Sequence, residues 1–262
     1  MKRISSKNWR MHLAMAGSWC DPVIEFRRLE HKKIAGLLRN MDADFLLESR
    51  CWFGGGTAIV LTHGEYRRSL DLDFLCADTD GYRDIRNAVF DRGLAALFSG
   101  EVTQLRDIRS DAYGVRTLVE YEGLAVKFEI VREARVTLAG ALSSALKVPL
   151  LGAADMFTEK LLANADRCFD RAVAYRDAID LGRLADTNGG IIPPAAIEKA
   201  EAAYGQDIAR KAAGILNHLI NGSEITYAAE ALDMEAGVAE AAIDAFRDAA
   251  RRAWPDAKII TP

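Results

Sequence analysis

Apolar and polar positions change period several times along the chain. Cys51-Trp52-Phe53 is a short apolar run that meets Gly54-Gly55-Gly56-Thr57 and continues as AIVLT, which predicts a buried strand turning into a helix. Ser69–Cys76 (SLDLDFLC) alternates with period two and predicts a half-buried strand. Tyr82–Phe98 carries apolar residues at helical spacing. Val115–Tyr121 and Leu124–Val131 flank Glu122-Gly123 and predict a β-hairpin, because glycine supplies the positive φ that a tight hairpin turn needs. A helical opening section spans roughly Asp21–Leu47. After Pro149 the period becomes helical. Asp155 is the expected N-cap of a helix through Phe169, and a second helix runs to Ala185. Asn188-Gly189-Gly190 and Pro193-Pro194 punctuate the chain before helical stretches at Ala195–Asn221 and Thr226–Trp254. The pattern predicts an α+β chain: an α/β module over 1–150, with helices in 1–47, then a helical module over 151–262.

Composition narrows the picture only slightly. The 262 residues carry 34 Lys+Arg against 38 Asp+Glu, a formal charge of −4, so a polyanion would have to meet a local basic patch. Two candidates are Arg27, Arg28, Lys32 and Lys33, and Arg247, Arg251 and Arg252. Both are balanced by nearby acids and read better as solvated helix faces. Cys20, Cys51, Cys76 and Cys168 are scattered, without a CxxC pair or neighbouring histidines, as buried thiols in a reducing compartment would be. The basic start MKRISSKNWR precedes an apolar stretch that is too short, contains His12, and has Trp19 where a cleavage site needs a small residue. No run of about 18 apolar residues occurs. A soluble, cytoplasmic protein without a membrane span is the expectation.

Four features carry chemistry. Glycines at the strand-to-helix junction let backbone N–H groups approach a phosphate, although packing alone would explain them as well. In Arg67-x-Ser69-x-Asp71-x-Asp73, alternate residues of an extended chain share a face, while Leu70, Leu72 and Phe74 face the core. Two adjacent carboxylates repel unless a cation lies between them, and Mg²⁺ is commonly held by such pairs plus substrate phosphates. An exposed face with the acids paired to Arg67 or Arg68 is the plain alternative. Lys127 and Glu129 share the polar face of the second hairpin strand, where Glu129 could be a third carboxylate or simply part of a solvated surface. Lys160, Asn164 and Arg167 form one stripe of a helix, and Asp177 and Asp180 follow on the next; such stripes are most often solvated faces.

Taken together, these residues resemble the nucleotidyltransferase superfamily pattern of hG[GS], then DhD/E, then a later acid. More narrowly, the chain resembles the AbiEii/AbiGii toxin family. The resemblance rests on GGTA at Gly55–Ala58, RxSxDhDF at Arg67–Phe74, Lys160 with Arg167, and Arg176-Asp177-x-x-Asp180-Leu181. Glu129 stands where many members have Asp, and Ile179 where many have an aromatic residue. The resemblance implies a nucleotidyltransferase-like mixed sheet flanked by helices and followed by a helical bundle. It implies Mg²⁺ or Mn²⁺ on Asp71, Asp73 and Glu129, and an NTP cradled by Gly55, Gly56 and Thr57. Arg67, Ser69, Lys160, Arg167, Asp177 and Asp180 would complete the nucleotide site, with Lys160 reaching the triphosphate. A toxin–antitoxin or phage-defence role, a tRNA 3′ end as acceptor and a winged-helix antitoxin follow from the same resemblance. The alternatives are a transferase acting on a protein or a small molecule such as an aminoglycoside, and a non-catalytic nucleotide-binding scaffold.

Overall fold

The structure, a computed structural model, describes residues 25–261. Cys20, the reading of the basic N-terminus and the predicted start of the opening helix at Asp21 lie outside the described residues. The opening section forms two helices, α1 (Leu29–Arg39) and α2 (Ala43–Glu48), and the Asp42 side chain caps α2 by accepting from the Phe45 N–H. Next come β1 (Cys51–Gly54) and α3 (Gly55–Thr62), the strand-to-helix turn expected from the glycine run. The next strand, β2 (Leu72–Cys76), starts three residues later than the alternation predicts. The backbone before it is bonded elsewhere: Arg68 N donates to Leu232 O, and Ser69 N to the His31 ring. That stretch forms no ladder.

Helix α4 (Thr79–Arg92) is capped by Asp78 and ends at Gly93, whose φ of 60° breaks the helix before Phe98. Two short edge strands, β3 (Thr103–Gln104) and β4 (Arg109–Ser110), were not legible in the sequence. The hairpin β5 (Gly114–Tyr121) and β6 (Leu124–Arg132) turns on Glu122 and Gly123, both at positive φ. Strands β7 (Gly140–Leu142) and β8 (Pro149–Leu151) complete one mixed eight-stranded sheet with the order β3-β5-β6-β2-β1-β8-β7 and β4 beside β5. Strand β2 runs antiparallel to β1 and parallel to β6. The rings of Phe53, Phe74 and Phe128 pack in a chain across the core face of the three central strands, and all three are fully buried.

The boundary expected at residue 150 falls inside β8. Beyond it lie α5 (Ala153–Arg167), α6 (Arg176–Thr187), α7 (Pro194–Tyr204), α8 (Asp207–His218), α9 (Gly222–Ala231) and α10 (Ala236–Ala253). The two long helical stretches expected after residue 194 are each broken once. Gly205 at φ 59° divides α7 from α8, and Asp233 at φ 50° lies between α9 and α10. Asp155 is not a cap, because α5 starts from Gly152. The Asp155 carboxylate instead accepts from the Ala139 N–H and from Lys199, tying α5 to the approach to β7 and to α7. One hydrophobic cluster runs from Phe53 and Phe74 through Phe157 to Phe246, so sheet and helices share a core. Cys51, Cys76 and Cys168 are buried free thiols. No described helix is long and apolar enough to cross a membrane.

Candidate active site

Strand register builds the site. Gly54 of β1 pairs with Asp73 of β2, Asp73 with Glu129 of β6, and Glu129 with Arg116 of β5. Paired residues point to one face, so a row of functional groups crosses the sheet opposite the Phe53–Phe74–Phe128 core. Asp71 just before β2, Asp73 and Leu75 on it, and Lys127, Glu129 and Val131 on β6 line a cavity of about 320 Å³, which α5 covers with Met156, Glu159, Lys160, Ala163 and Arg167. Gly55 has φ 69°, and a Cβ there would lie 2.7 Å from the Asp73 carboxylate; a Cβ on Gly56 would run into the Arg67 guanidinium. Both positions need glycine for space, and Gly55 also for its backbone angle. The first turn of α3 therefore sits directly against Asp73.

The carboxylates on this face differ in how they are satisfied. Among the described residues, neither Asp71 nor Asp73 has an ion-pair partner. Burial raises Asp73 above the usual carboxylate range, and the nearby Asp71 charge raises it further. Glu129 accepts from Arg116 Nε at 2.5 Å and pairs with Lys127 Nζ at 2.9 Å. Burial opposes its charge, but these two cations outweigh burial and hold Glu129 below its ordinary range. Its carboxylate is thus turned to the cations, and no three acidic, histidine or cysteine side chains among the described residues converge as a ready-made metal cage. The unpaired oxygens of Asp71 and Asp73 are hard donors of the kind a divalent cation takes together with phosphate oxygens, so the residues present fit such an ion.

Behind this face lies a buried ionic network. Arg67 forks onto Asp180 through Nε at 2.8 Å and Nη2 at 2.9 Å, and Tyr66 Oη donates to the same carboxylate at 2.6 Å. Lys160 Nζ bridges Asp177 at 2.9 Å and Asp180 at 2.7 Å, and Arg167 Nε donates to Asp177 at 2.7 Å. Burial alone would raise both acids; the Lys160 charge, with Arg67 at Asp180 and Arg167 at Asp177, holds them well below the usual range.

The AbiEii family model, described as nucleotidyl transferase AbiEii toxin of a type IV toxin–antitoxin system, matches residues 36–257. The chain belongs to this AbiEii family. Among solved structures it is similar in fold to one from H. pylori assigned as a nucleotidyltransferase, with TM-score 0.50, 18% identity, and coverage of 87% of this chain and 97% of that one. JHP933 from Helicobacter pylori aligns with TM-score 0.47 and 19% identity over 86% and 92% of the two chains. An antigenic nucleotidyltransferase-like protein from Paracoccidioides brasiliensis aligns with TM-score 0.45 and 15% identity over 79% and 96%. No curated protein matches the sequence.

The AbiEii motif residues divide into two groups in space. Gly55, Gly56, Arg67, Ser69, Asp71, Asp73, Glu129, Lys160 and Arg167 line the one cavity. Thr57, Asp177 and Asp180, expected at the nucleotide, do not line it. All three are buried behind the lining, Thr57 bonded through Oγ1 to Ser69 Oγ at 2.9 Å and the aspartates to the cations named above. Lys160 lines the cavity, yet two of its donors are committed to Asp177 and Asp180.

Several supporting residues had no sequence signal. His31 of α1 is fully buried; its Nδ1 bonds Glu65 Oε1 at 2.7 Å and its Nε2 accepts from Ser69 N at 3.3 Å, fixing the approach to Asp71. Burial against this pair lowers the His31 pKa, so the ring is neutral and can accept at Nε2. Glu133, Arg135 and Glu159 line the other end of the cavity. Glu159 is pushed up to about 8 by burial and then by the Glu133 charge. Only the helical spacing of Glu159 to Met156 and Ala163 could have hinted at its place. The two basic clusters are not open patches: Arg28 pairs with Asp233, Lys33 bonds Glu122 O, Arg247 is buried against Asp244, and Arg252 bonds Gly190 O.

Proposed function

We propose that the chain transfers a nucleotide from an NTP to an acceptor hydroxyl, with the cavity above Asp71 and Asp73 as its active site. The observation that carries this reading is the unpaired Asp71/Asp73 pair, with Asp73 packed against the glycine turn of α3. Asp71 and Asp73 would hold the cation, Mg²⁺ or Mn²⁺, and Glu129, beside Asp73 in the ladder, would add a third oxygen donor on turning from Arg116 and Lys127. When bound, the ion neutralises triphosphate charge and makes the acceptor hydroxyl easier to ionise. Gly55 and Gly56 offer backbone N–H groups, and the start of α3 favours the phosphate charge. Lys160 keeps one ammonium proton beyond the two given to Asp177 and Asp180, and Arg167 adds a second cation at the rim. Asp177 and Asp180 are positioning residues that hold these cations and Arg67 in place.

In the reaction the acceptor oxygen attacks the α-phosphorus, forming a new O–P bond. The bond from that phosphorus to the α–β bridging oxygen breaks, pyrophosphate leaves, and the hydroxyl proton passes to solvent or a cavity carboxylate. The helical module, residues 151–262, supplies Lys160 and Arg167, while 1–150 supplies the carboxylates. As the acceptor we propose a tRNA 3′ end, and as the counterpart a winged-helix antitoxin, in a toxin–antitoxin or phage-defence setting in the cytoplasm. Incubation with α-labelled NTPs and Mg²⁺, against total RNA, total protein and aminoglycosides in parallel, tests the reading. Label in small RNA, lost in Asp71→Asn and Asp73→Asn, is expected. Label in protein or antibiotic redirects the acceptor, and no label with any acceptor contradicts the enzyme.

A further inference from the structure

Six cationic side chains line the cavity, and five of them are already spent on carboxylates. Arg67 pairs with Asp180, Lys127 with Glu129, Arg135 with Glu133, Lys160 with Asp177 and Asp180, and Arg167 with Asp177. Arg176 lines the same cavity, yet among the described residues its guanidinium has no hydrogen bond, ion pair or ring contact. It is also the first residue of α6, where the positive end of the helix dipole opposes a cation. The chain thus places a charge at the cavity wall and leaves it unanswered.

The turn that presents Arg176 is strained and pinned. Ala174 and Tyr175 have φ of 51° and 53°, a region that residues with a Cβ rarely occupy. Both are buried, and Tyr175 Oη donates to Glu224 Oε2 at 2.6 Å and lies 3.2 Å from His218 Nε2. Backbone held this way gathers at ligand clamps, and here its effect is to fix the residue that follows.

Position along the cavity assigns the partner. Asp177, the next residue, holds both Lys160 and Arg167, so Arg176 stands at the phosphate end with them. Lys160 and Arg167 are the cations of that end whose charges act on Asp73, which sets them over the reacting phosphates. Arg167 has already given Nε and Nη2 to Asp177. Arg176 keeps its whole planar fork, which matches two oxygens of one phosphate.

We propose that Arg176 grips the terminal phosphate of the nucleotide and so makes the site select triphosphates over diphosphates. The role rests on the nucleotidyl-transfer reading above and adds to it a specificity-determining residue. A diphosphate lacks the group that answers Arg176 and leaves its charge unpaired, as it is in the empty cavity.

The test is calorimetric titration of the full chain in Mg²⁺ with the α,β-methylene analogues of the four NTPs. The α,β-methylene diphosphate of the best-bound base follows, on wild type, Arg176→Ala and Arg176→Lys. Wild type is expected to bind the triphosphate at least about 10-fold more tightly than the diphosphate, the worth of one charge-assisted hydrogen-bonded contact. Arg176→Ala should lose about that factor for the triphosphate and stay within about 2-fold for the diphosphate, while Arg176→Lys, a charge without the fork, should keep part of the preference. Bulk tRNA titrated without nucleotide supplies the other phosphate that an arginine at this wall could meet, and it should bind all three proteins alike. No wild-type preference for triphosphate, an unchanged preference in Arg176→Ala, an equal loss of both nucleotides, or a loss confined to tRNA overturns the role of Arg176 and leaves the transferase reading intact. If no triphosphate binds wild type, the transferase reading fails and this inference with it. Arg176→Ala removes no partner from the fold, so in chelator it should melt with wild type; a clear drop would reveal a structural contact and also overturn the role.

Discussion

Two pairs of aspartates, Asp71 with Asp73 and Asp177 with Asp180, lie far apart in sequence and on either side of Lys160. Asp177 and Asp180 on α6 are buried and surrounded by Arg67, Arg167, Lys160 and Tyr66, and their acidity is strengthened. Asp73 beside Asp71 is half-buried, no cation of the described chain pairs with it, and its acidity is weakened. The same side chain thus does opposite work. Where the protein supplies the counter-charge, the carboxylates are structural cement; where it withholds it, they are the carboxylates we propose for an external cation. All four belong to the same set of sequence motifs, yet in space one pair is ion-paired and the other is not.

The sharpest way to break this distinction is activity. Asp71→Asn or Asp73→Asn should cut nucleotide transfer by about 10³-fold or more while leaving the circular dichroism spectrum unchanged. The support pair should fail in the other way. Asp180→Ala leaves Arg67 and Lys160 buried without their shared acid and should cost about 3–5 kcal/mol in a urea melt. If Asp73→Asn were as destabilising as Asp180→Ala, the two pairs would not differ as described.

Acid titration separates the pairs through the sign of their shifts. Asp177 and Asp180 are depressed in the folded state, so the stability they add is present above the unfolded carboxylate value and is lost as pH falls below it. Asp73 is raised, so its ionisation weakens the fold as pH climbs out of the ordinary carboxylate range. With a chelator present, Asp73→Asn should therefore melt at or above the wild-type temperature at neutral pH, and the advantage should disappear in acid. Asp73→Asn melting below wild type across that range would contradict the repulsion argument. The smallest effect concerns Glu159, raised to about 8. Between the unfolded glutamate range and that value its unfavourable ionisation erodes wild-type stability as pH rises, so Glu159→Gln should flatten the pH dependence of the melting temperature. A parallel curve would show that the Glu159 proton does not matter to folding.

Much of the reactive face was legible in the chain. Period two in LDLDF put Asp71 and Asp73 opposite Leu72 and Phe74, and Glu122-Gly123 marked the hairpin that brings Glu129 beside Asp73. These relations are local or set by strand alternation. The support network was not legible, because Arg67 meets Asp180 at a sequence separation of 113 and His31 meets Ser69 at one of 38. Spacing placed Lys160, Asp177 and Asp180 on helices without telling which side of the cavity wall each would occupy. Strands β3, β4, β7 and β8 are two or three residues long, too short for any alternation to register. Asp155 looked like a cap because acids favour first turns, but it belongs to the first turn itself and is spent on Ala139 and Lys199.

The central claim is that Asp71 and Asp73 form a cation-dependent nucleotide site, and a melting experiment tests it most directly. Wild type and Asp73→Asn are heated in chelator, in Mg²⁺ alone, and in Mg²⁺ with the preferred α,β-methylene triphosphate at about 100-fold its dissociation constant. Wild type should gain roughly 5–10 °C only when metal and nucleotide are both present, and Asp73→Asn should gain nothing. An equal gain in both proteins, or a wild-type gain with nucleotide in chelator, would contradict the account.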